Sequence, residues 1–292
     1  MTEKKNLLAS GHKACPGCTV PLCVNKVLEA TGKNVIAVTA TGCLETFTSL
    51  INYSSWEVPW ITPLFENAPS VAGGIAAALE AKDGNKAGTK VVAFGGDGST
   101  YDIGIGSLSG MLERNDNVIY ICYDNEAYMN TGVQRSSGTP YGATTTTSPQ
   151  GDASPGNLKY KKNMPEIARE HGIRYVATAT VSDPKDLKKK VEKAMELNGA
   201  AYIHVLTPCN LGWGFPSEKA IEMARDTVNA GLFPIFEYVD GELVSSKKIK
   251  KIPVKDVLFR QKRYKHLKSA EYENIVNEIQ AIADRNIEKY HL

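Results

Sequence analysis

Apolar and polar positions along this chain follow two periods, and the two alternate. Residues 19–31 place Leu22, Val27 and Leu28 on one face at helical spacing, which predicts an amphipathic helix. Asn34 to Thr39 is a short β-rich run that ends at the Thr41-Gly42-Cys43 turn. Ser70 to Lys82, rich in Ala and Gly, predicts a helix packed closely against neighbouring backbone. Val91 to Phe94 is uniformly apolar and predicts a buried strand flowing into Gly95-Gly96-Asp97-Gly98. Ile105 to Arg114 then reads as a helix, and Val118 to Tyr123 as the next strand. Strand, turn, helix and strand in this order define an α/β fold, a parallel sheet flanked by helices.

The pattern breaks over residues 132–160. A Thr run (Thr144 to Thr147), three prolines and five glycines leave little apolar periodicity, which predicts a long and functional loop. Alternation then resumes: a short helix over Met164–Gly172, a strand over Tyr175–Thr180, and an amphipathic Lys/Glu-rich helix over Pro184–Asn198. A strand over Ala201–Leu206 runs straight into Pro208-Cys209. From about Gly231 the alternation stops, and Lys247 to Lys268 carries ten Lys/Arg against one acid, Asp256. The expected organisation is a main domain over residues 1–230 and a C-terminal extension over 231–292. The basic run could attract an acidic protein, but a solvated tail wrapping a neighbouring subunit is the simpler expectation.

Composition narrows the class. The 292 residues are 42% hydrophobic, enough for one large core. A net charge of +2 makes no case for nucleic acid or membrane binding. No apolar run reaches the ~18 residues a membrane helix needs, and the first ten residues lack the apolar stretch of a signal peptide. The expected compartment is therefore the cytoplasm, where six cysteines read as metal ligands rather than disulfides. Cys122 lies inside a strand-like run and reads as a small buried hydrophobe, and Cys23 has no obvious partner.

Candidate chemistry enters with the other four cysteines. Cys15 and Cys18 form a C-P-G-C pair, Cys43 follows in A-T-G-C, and Cys209 lies far downstream in T-P-C-N. Such a quartet holds a soft centre, either structural zinc or an iron–sulfur cluster. A second signature favours the cluster. Gly96-Asp97-Gly98 follows one apolar strand and Asn125 closes the next, 28 residues after Asp97. Glycines let backbone amides approach a diphosphate, while Asp and Asn supply hard oxygens for Mg²⁺. This is the pattern of a thiamine diphosphate anchor, at the carboxyl ends of parallel strands where α/β folds bind ligands.

At these residues the sequence resembles the β subunit of multi-subunit 2-oxoacid:ferredoxin oxidoreductases, most closely the pyruvate enzyme. The resemblance is carried by G-H-K-A-C-P-G-C at 11–18, A-T-G-C at 40–43 and P-L-F-E-N-A-P-S-V-A-G-G at 63–74. It continues through G-D-G-S-T-Y-D-I-G at 96–104, D-N-E-A-Y-M-N-T-G-V-Q-R-S at 124–136, T-P-C-N at 207–210 and G-L-F-P-I-F-E at 231–237. It implies a thiamine diphosphate-binding fold in which Cys15, Cys18, Cys43 and Cys209 ligate a proximal 4Fe–4S cluster. Asp97, the Asn125 side chain and the Ala127 carbonyl would bind Mg²⁺. Gly42, Gly96 and Gly98 would lie at the cofactor, and Asn130 would reach the thiazolium and the substrate. The family often has Thr where this chain has Asn125; either side chain can donate an oxygen.

The implied reaction is oxidative decarboxylation of pyruvate with coenzyme A to acetyl-CoA and CO₂, with electrons leaving through the cluster to ferredoxin. The implied partners are the α, γ and δ subunits of the same complex. Glu66 is tempting as the glutamate that activates the cofactor, but the resemblance assigns that role to the partner subunit. His12 adjoins the cysteine pair and is more simply structural. Two alternatives stay open: a sister enzyme for 2-oxoisovalerate, 2-oxoglutarate or oxalate, and a non-redox thiamine decarboxylase or zinc-stabilised binding subunit.

Overall fold

The computed structural model describes residues 6–50, 52–151 and 154–292. The reading of the N-terminus as leaderless falls partly on residues 1–5, outside the described residues. The centre of the molecule is an eight-stranded sheet. Six of its strands are parallel: β1 (Val35–Thr39), β4 (Trp60–Ile61), β5 (Lys90–Gly96), β6 (Val118–Asp124), β9 (Tyr175–Thr180) and β10 (Ala201–Leu206). Two more, β11 (Phe236–Val239) and β12 (Glu242–Ser246), extend one edge antiparallel, giving the spatial order β12-β11-β9-β10-β6-β5-β1-β4. Two small antiparallel pairs lie outside the sheet: β2 (Ser49–Leu50) with β3 (Tyr53–Ser54), and β7 (Gln150–Gly151) with β8 (Ser154–Pro155).

The strands are apolar on both faces because helices cover both. Successive side chains of a strand point to opposite sides, and the core divides accordingly. Val92, Phe94, Ile119, Ile121 and Ile203 pack under α1 (Val20–Thr31) and α6 (Pro184–Met195). Val91, Ala93, Val118, Tyr120 and Tyr202 pack under α3 (Ala68–Asp83), α4 (Ile105–Glu113) and α5 (Met164–Arg169). A third apolar group gathers Trp213, Phe215, Val257, Leu267, Ile275 and Ile279 from the C-terminal part of the chain.

Local chemistry sets the helix ends. Asp183 caps α6 by accepting from the Asp186 amide at 3.2 Å, with Pro184 in the first turn. Gly84 ends α3 in the left-handed conformation at φ 69°. The C-terminal stretch is built into the same body. Its hairpin extends the sheet, and α10 (Glu273–Lys289) buries Ile275, Ile279 and Ala283. Nor is the basic run uniformly solvated: Arg263, Tyr264 and Leu267 are buried.

Register decides where the site forms. Thr39 pairs with Phe94, Gly96 with Tyr123, and Leu206 with Asp124. Four segments therefore leave the sheet at one edge: 40–43, 97–98, 125–131 and 207–209. They carry Cys43, Asp97, Asn125 and Cys209.

Candidate active site

A cleft of about 80 Å³ opens at this edge, lined by Gly42, Cys43, Gly96, Asp97, Gly98, Ser99, Asn125, Ala127 and Asn130 among others. Asp97 is 1% exposed and immediately precedes a π-helical turn over Gly98–Ile103. The Asn125 amide terminus lies 2.9 Å from the Ala127 carbonyl oxygen and 3.1 Å from Asp97 Oδ1. Turned to present its NH₂, it donates to both; turned to present its oxygen, three hard oxygens converge on one point. The second arrangement is repulsive by itself and offers three hard oxygens to a cation. Asp97 Oδ2 also accepts a short hydrogen bond from the buried Ser136 hydroxyl. Burial and the adjacent Asp124 charge push the Asp97 carboxyl well above the usual carboxylate range, only partly offset by Ser136 and Lys161. A divalent cation there reverses that balance.

The cleft walls need small residues. A Cβ on Gly98 would stand 2.4 Å from the Tyr128 ring, so only glycine admits that aromatic wall. Gly42 holds φ at 153°, and Cys43 follows it as the first residue of α2 (Cys43–Thr48). Sequence reading ended a strand at this turn without the helix. Asn130 lies exposed at the mouth. Glu66 is not among the lining residues; its carbonyl packs where a Cβ on Gly104 would stand, 2.8 Å away, against the π-helical turn.

The four expected thiols are neighbours. Burial, then Cys18, Cys209 and Cys15, and last Asp97 push the Cys43 thiol up to about 12. Cys18 is raised to about 12 by burial and by Cys209 and Cys15, against the Val20 amide. Cys209 is raised chiefly by burial. Backbone amides nevertheless point at these sulfurs: Gly212 N–H donates to Cys209 Sγ at 3.3 Å. The segments are laced together, with Cys18 N–H donating to the Cys15 carbonyl at 2.9 Å and the Thr19 hydroxyl to the Pro208 carbonyl at 3.2 Å. Burial and mutual repulsion thus favour the neutral thiols of Cys18, Cys43 and Cys209 over their thiolates. Among the described residues, no three His, Cys, Asp or Glu side chains converge closely enough to hold a single metal ion. His12 packs its ring on Phe47 at 5.5 Å, and its buried Nδ1 has no hydrogen-bond partner. Cys23 and Cys122 are fully buried core residues on opposite faces of the sheet.

Behind the cleft lies a charged network that sequence reading missed. Asp124 Oδ2 contacts Lys161 Nζ at 2.6 Å, His204 Nε2 at 2.8 Å and the Tyr101 hydroxyl at 3.0 Å. Glu126 is paired with Lys161 at 3.0 Å and Arg263 at 2.6 Å. Although burial opposes it, Lys161 and then His204 hold the Asp124 carboxyl far below the usual range. Burial pushes the His204 pKa down, against the opposing pull of Asp124. Lys161 thus bridges the Asp124 and Glu126 carboxylates, and the buried Arg263 guanidinium holds Glu126 from its other side. Lys161 sits just past the glycine-rich loop and Arg263 inside the basic run, and neither context gives a local signal of burial.

Comparison with known proteins agrees with this architecture. Residues 40–205 match the family model described as thiamine pyrophosphate enzyme, C-terminal TPP binding domain. That match covers the cleft segments through β10 and defines the chain as a thiamine diphosphate enzyme. Among curated relatives, the pyruvate synthase subunit PorB of Methanosarcina barkeri is 50% identical, covering 100% of this chain and 99% of its own. The PorB of Thermotoga maritima is 40% identical over 98% of this chain and 92% of its own. A ketoisovalerate oxidoreductase subunit, VorB of Pyrococcus furiosus, is 40% identical over 91% and 88%. The fold is also that of a solved 2-oxoglutarate:ferredoxin oxidoreductase from Magnetococcus marinus, with a TM-score of 0.62 at 22% identity over 96% of this chain and 97% of that one. This chain belongs to the β-subunit family of the 2-oxoacid:ferredoxin oxidoreductases.

Proposed function

We propose that the chain is the catalytic subunit of a pyruvate:ferredoxin oxidoreductase, which oxidises pyruvate with coenzyme A to acetyl-CoA and CO₂ and passes the electrons to ferredoxin. One observation carries the reading: Cys43 and the Asp97–Asn125–Ala127 oxygen set line the same cleft. A redox centre on these thiols would stand beside the cofactor, as one-electron transfer requires. Pyruvate as substrate is supported by the PorB relatives, which span nearly the full chain at up to 50% identity.

The residues fit the groups this reaction needs. Asp97, Asn125 and the Ala127 carbonyl would hold Mg²⁺, with Gly42, Gly96 and Gly98 giving a diphosphate close access to backbone. Bound thiamine diphosphate supplies the nucleophilic carbon and electron sink for cleaving the bond beside a 2-oxo group. Cys15, Cys18, Cys43 and Cys209 would hold a 4Fe–4S cluster, which accepts electrons one at a time. Asn130, at the cleft mouth, would hydrogen-bond the substrate.

No glutamate lines the cleft among the described residues, so the activating carboxylate would come from a partner chain. The relatives' names describe subunits, which supports assembly with other chains, here taken to be α, γ and δ subunits. The 231–292 segment would offer its outer surface to them. Among the described residues no helix is long and apolar enough to cross a membrane. A compartment that keeps the thiols reduced, the cytoplasm, suits such a centre.

The test is a steady-state assay of the purified complex with coenzyme A, ferredoxin and a panel of pyruvate, 2-oxoisovalerate, 2-oxoglutarate and oxalate. Pyruvate should give the highest kcat/KM. A preference for 2-oxoisovalerate would instead place the chain with the VorB type.

A further inference from the structure

We propose that Glu126 is a positioning residue for the metal-binding loop, and that its grip on Arg263 ties that loop to the segment bearing Cys209. This role rests on the metal reading of Asp97, Asn125 and Ala127. Glu126 stands between two of those three ligands and adopts φ of 72°, a left-handed conformation that residues with a Cβ rarely take. The reversal brings the side chain before it and the carbonyl after it to one point, where the Asn125 amide terminus meets the Ala127 oxygen at 2.9 Å. Without an external hold, this backbone relaxes toward ordinary φ and the two ligands separate.

The hold is explicit. Glu126 N–H donates to Asp124 Oδ1 at 2.9 Å, and its carbonyl accepts from the Thr139 hydroxyl at 2.8 Å. Its carboxylate, buried with 4% exposure, bonds Lys161 at 3.0 Å through Oε1 and Arg263 at 2.6 Å through Oε2. Arg263 is oriented in turn: its Nε donates to Gln261 Oε1 at 2.8 Å, and its guanidinium lies 3.8 Å over the Trp213 ring. Trp213 closes the circuit by donating Nε1–H to the Asn125 carbonyl at 2.8 Å. It belongs to α7 (Asn210–Trp213), the turn that Cys209 caps. Across this joint Met129 packs where a Cβ on Gly212 would stand, 2.2 Å from its sulfur. One buried unit therefore touches the metal loop at two points and the thiol loop at a third. A charged, planar, stacked group such as Arg263 fits that task better than any apolar filler.

The experiment uses the purified complex, stripped of Mg²⁺ and thiamine diphosphate by chelation and dialysis. Thiamine diphosphate binding is then titrated against Mg²⁺ by intrinsic fluorescence, with thermal unfolding recorded in parallel. In Glu126→Gln the Mg²⁺ concentration for half-binding should rise about tenfold or more, the size of effect seen when a metal ligand loses its support. Arg263→Gln should reproduce the rise, and Arg263→Lys should recover part of it. A lowered melting temperature with wild-type Mg²⁺ dependence in these variants would overturn the positioning role, leaving Glu126 merely structural. Should Glu126→Gln fail to accumulate, the Arg263 pair carries the same measurement. Asp97→Ala, run alongside, should lose binding outright. If it binds as wild type, the metal reading falls and the positioning role falls with it. If it loses binding while the Glu126 and Arg263 variants do not, only the positioning role falls.

Discussion

Asp97 and Asn125 stand 28 residues apart in the chain, and the Asn125 amide terminus meets Asp97 Oδ1 at 3.1 Å. Strand register produces this meeting, because Gly96 pairs with Tyr123 and both strands end at one edge. The same register buries Asp97 and sets it beside Asp124, and burial first and that charge second make the carboxyl hard to ionise.

Asp97→Asn should therefore separate stability from function. The metal-free variant should melt at the same temperature as wild type or higher, because a poorly solvated carboxyl has been replaced by an isosteric amide. Mg²⁺-dependent thiamine diphosphate binding should fall by more than the roughly 10–100-fold that losing a supporting partner costs. Calorimetry in chelator and cofactor titration check the two arms. Wild-type cofactor binding would remove Asp97 from the metal site.

Replacing Cys209 with Ala should lower iron content and visible absorbance in the anaerobically purified complex, because one of four thiolates is gone. Cys122→Ala, in the core on the far side from the Cys23 face, should leave iron unchanged. Equal iron in wild type and Cys209→Ala would exclude Cys209 as a ligand.

Lys161 is paired with two buried carboxylates, so Lys161→Met leaves Asp124 and Glu126 short of positive charge. A loss of about 3–5 kcal/mol in unfolding free energy is expected, the usual penalty for stripping one partner from a buried ion pair. Adding Asp124→Asn to Lys161→Met should restore part of it, and a double-mutant cycle measures the coupling. Additive losses would mean that Lys161 acts independently of Asp124.

Glu166 gives a pH-dependent tie between α5 and the C-terminal helix. Burial raises its pKa, but Lys289 at 3.0 Å and the hydroxyls of Tyr290 at 2.8 Å and Tyr238 at 2.9 Å together bring it below the ordinary value of 4.5. A depressed carboxyl stabilises the fold above its unfolded pKa, and that contribution disappears as pH falls through the folded value. Glu166→Gln should cost about 1–3 kcal/mol at pH 7, and the difference from wild type should vanish under acid conditions. A pH-independent difference would mean that the charge is not what matters.

The chain purified alone, reconstituted with iron, sulfide, thiamine diphosphate and Mg²⁺, should not oxidise pyruvate with coenzyme A and an artificial acceptor. The reason is the cleft wall, which offers no glutamate to the cofactor among the described residues. Robust turnover would show that the site is not shared and would direct attention to Glu66.

Much of this was legible in the sequence, because the information was local or periodic. Uniformly apolar runs at Val91 and Val118 announced strands covered on both sides, and Gly96-Asp97-Gly98 announced a turn with a buried carboxyl at a strand end. The register brought Asn125, Cys43 and Cys209 to one edge of the sheet with Asp97, where they form one candidate site. What was hidden depends on pairing across long separations. Lys161 and Arg263 look like solvent-seeking residues in a loop and a basic run, and only folding sets them against Glu126. The left-handed φ of Glu126 carries no glycine to mark it. The edge hairpin and α10 lie where alternation stops: the hairpin buries Phe236 and Tyr238 in the apolar group with Tyr202 and Tyr290, while α10 buries Ile275, Ile279 and Ala283 in the group around Trp213.

The central claim is that this chain places a 2-oxo acid-oxidising cofactor beside an iron–sulfur centre on its own four cysteines. The most direct measurement is electron paramagnetic resonance of the anaerobic complex, with thiamine diphosphate, Mg²⁺ and coenzyme A present and ferredoxin absent, before and after adding pyruvate. The account predicts that pyruvate produces the signal of a reduced 4Fe–4S cluster in wild type, and that Asp97→Ala abolishes this while dithionite still reduces its cluster. No substrate-dependent signal with any 2-oxo acid, or a preparation holding zinc and no iron, would contradict it.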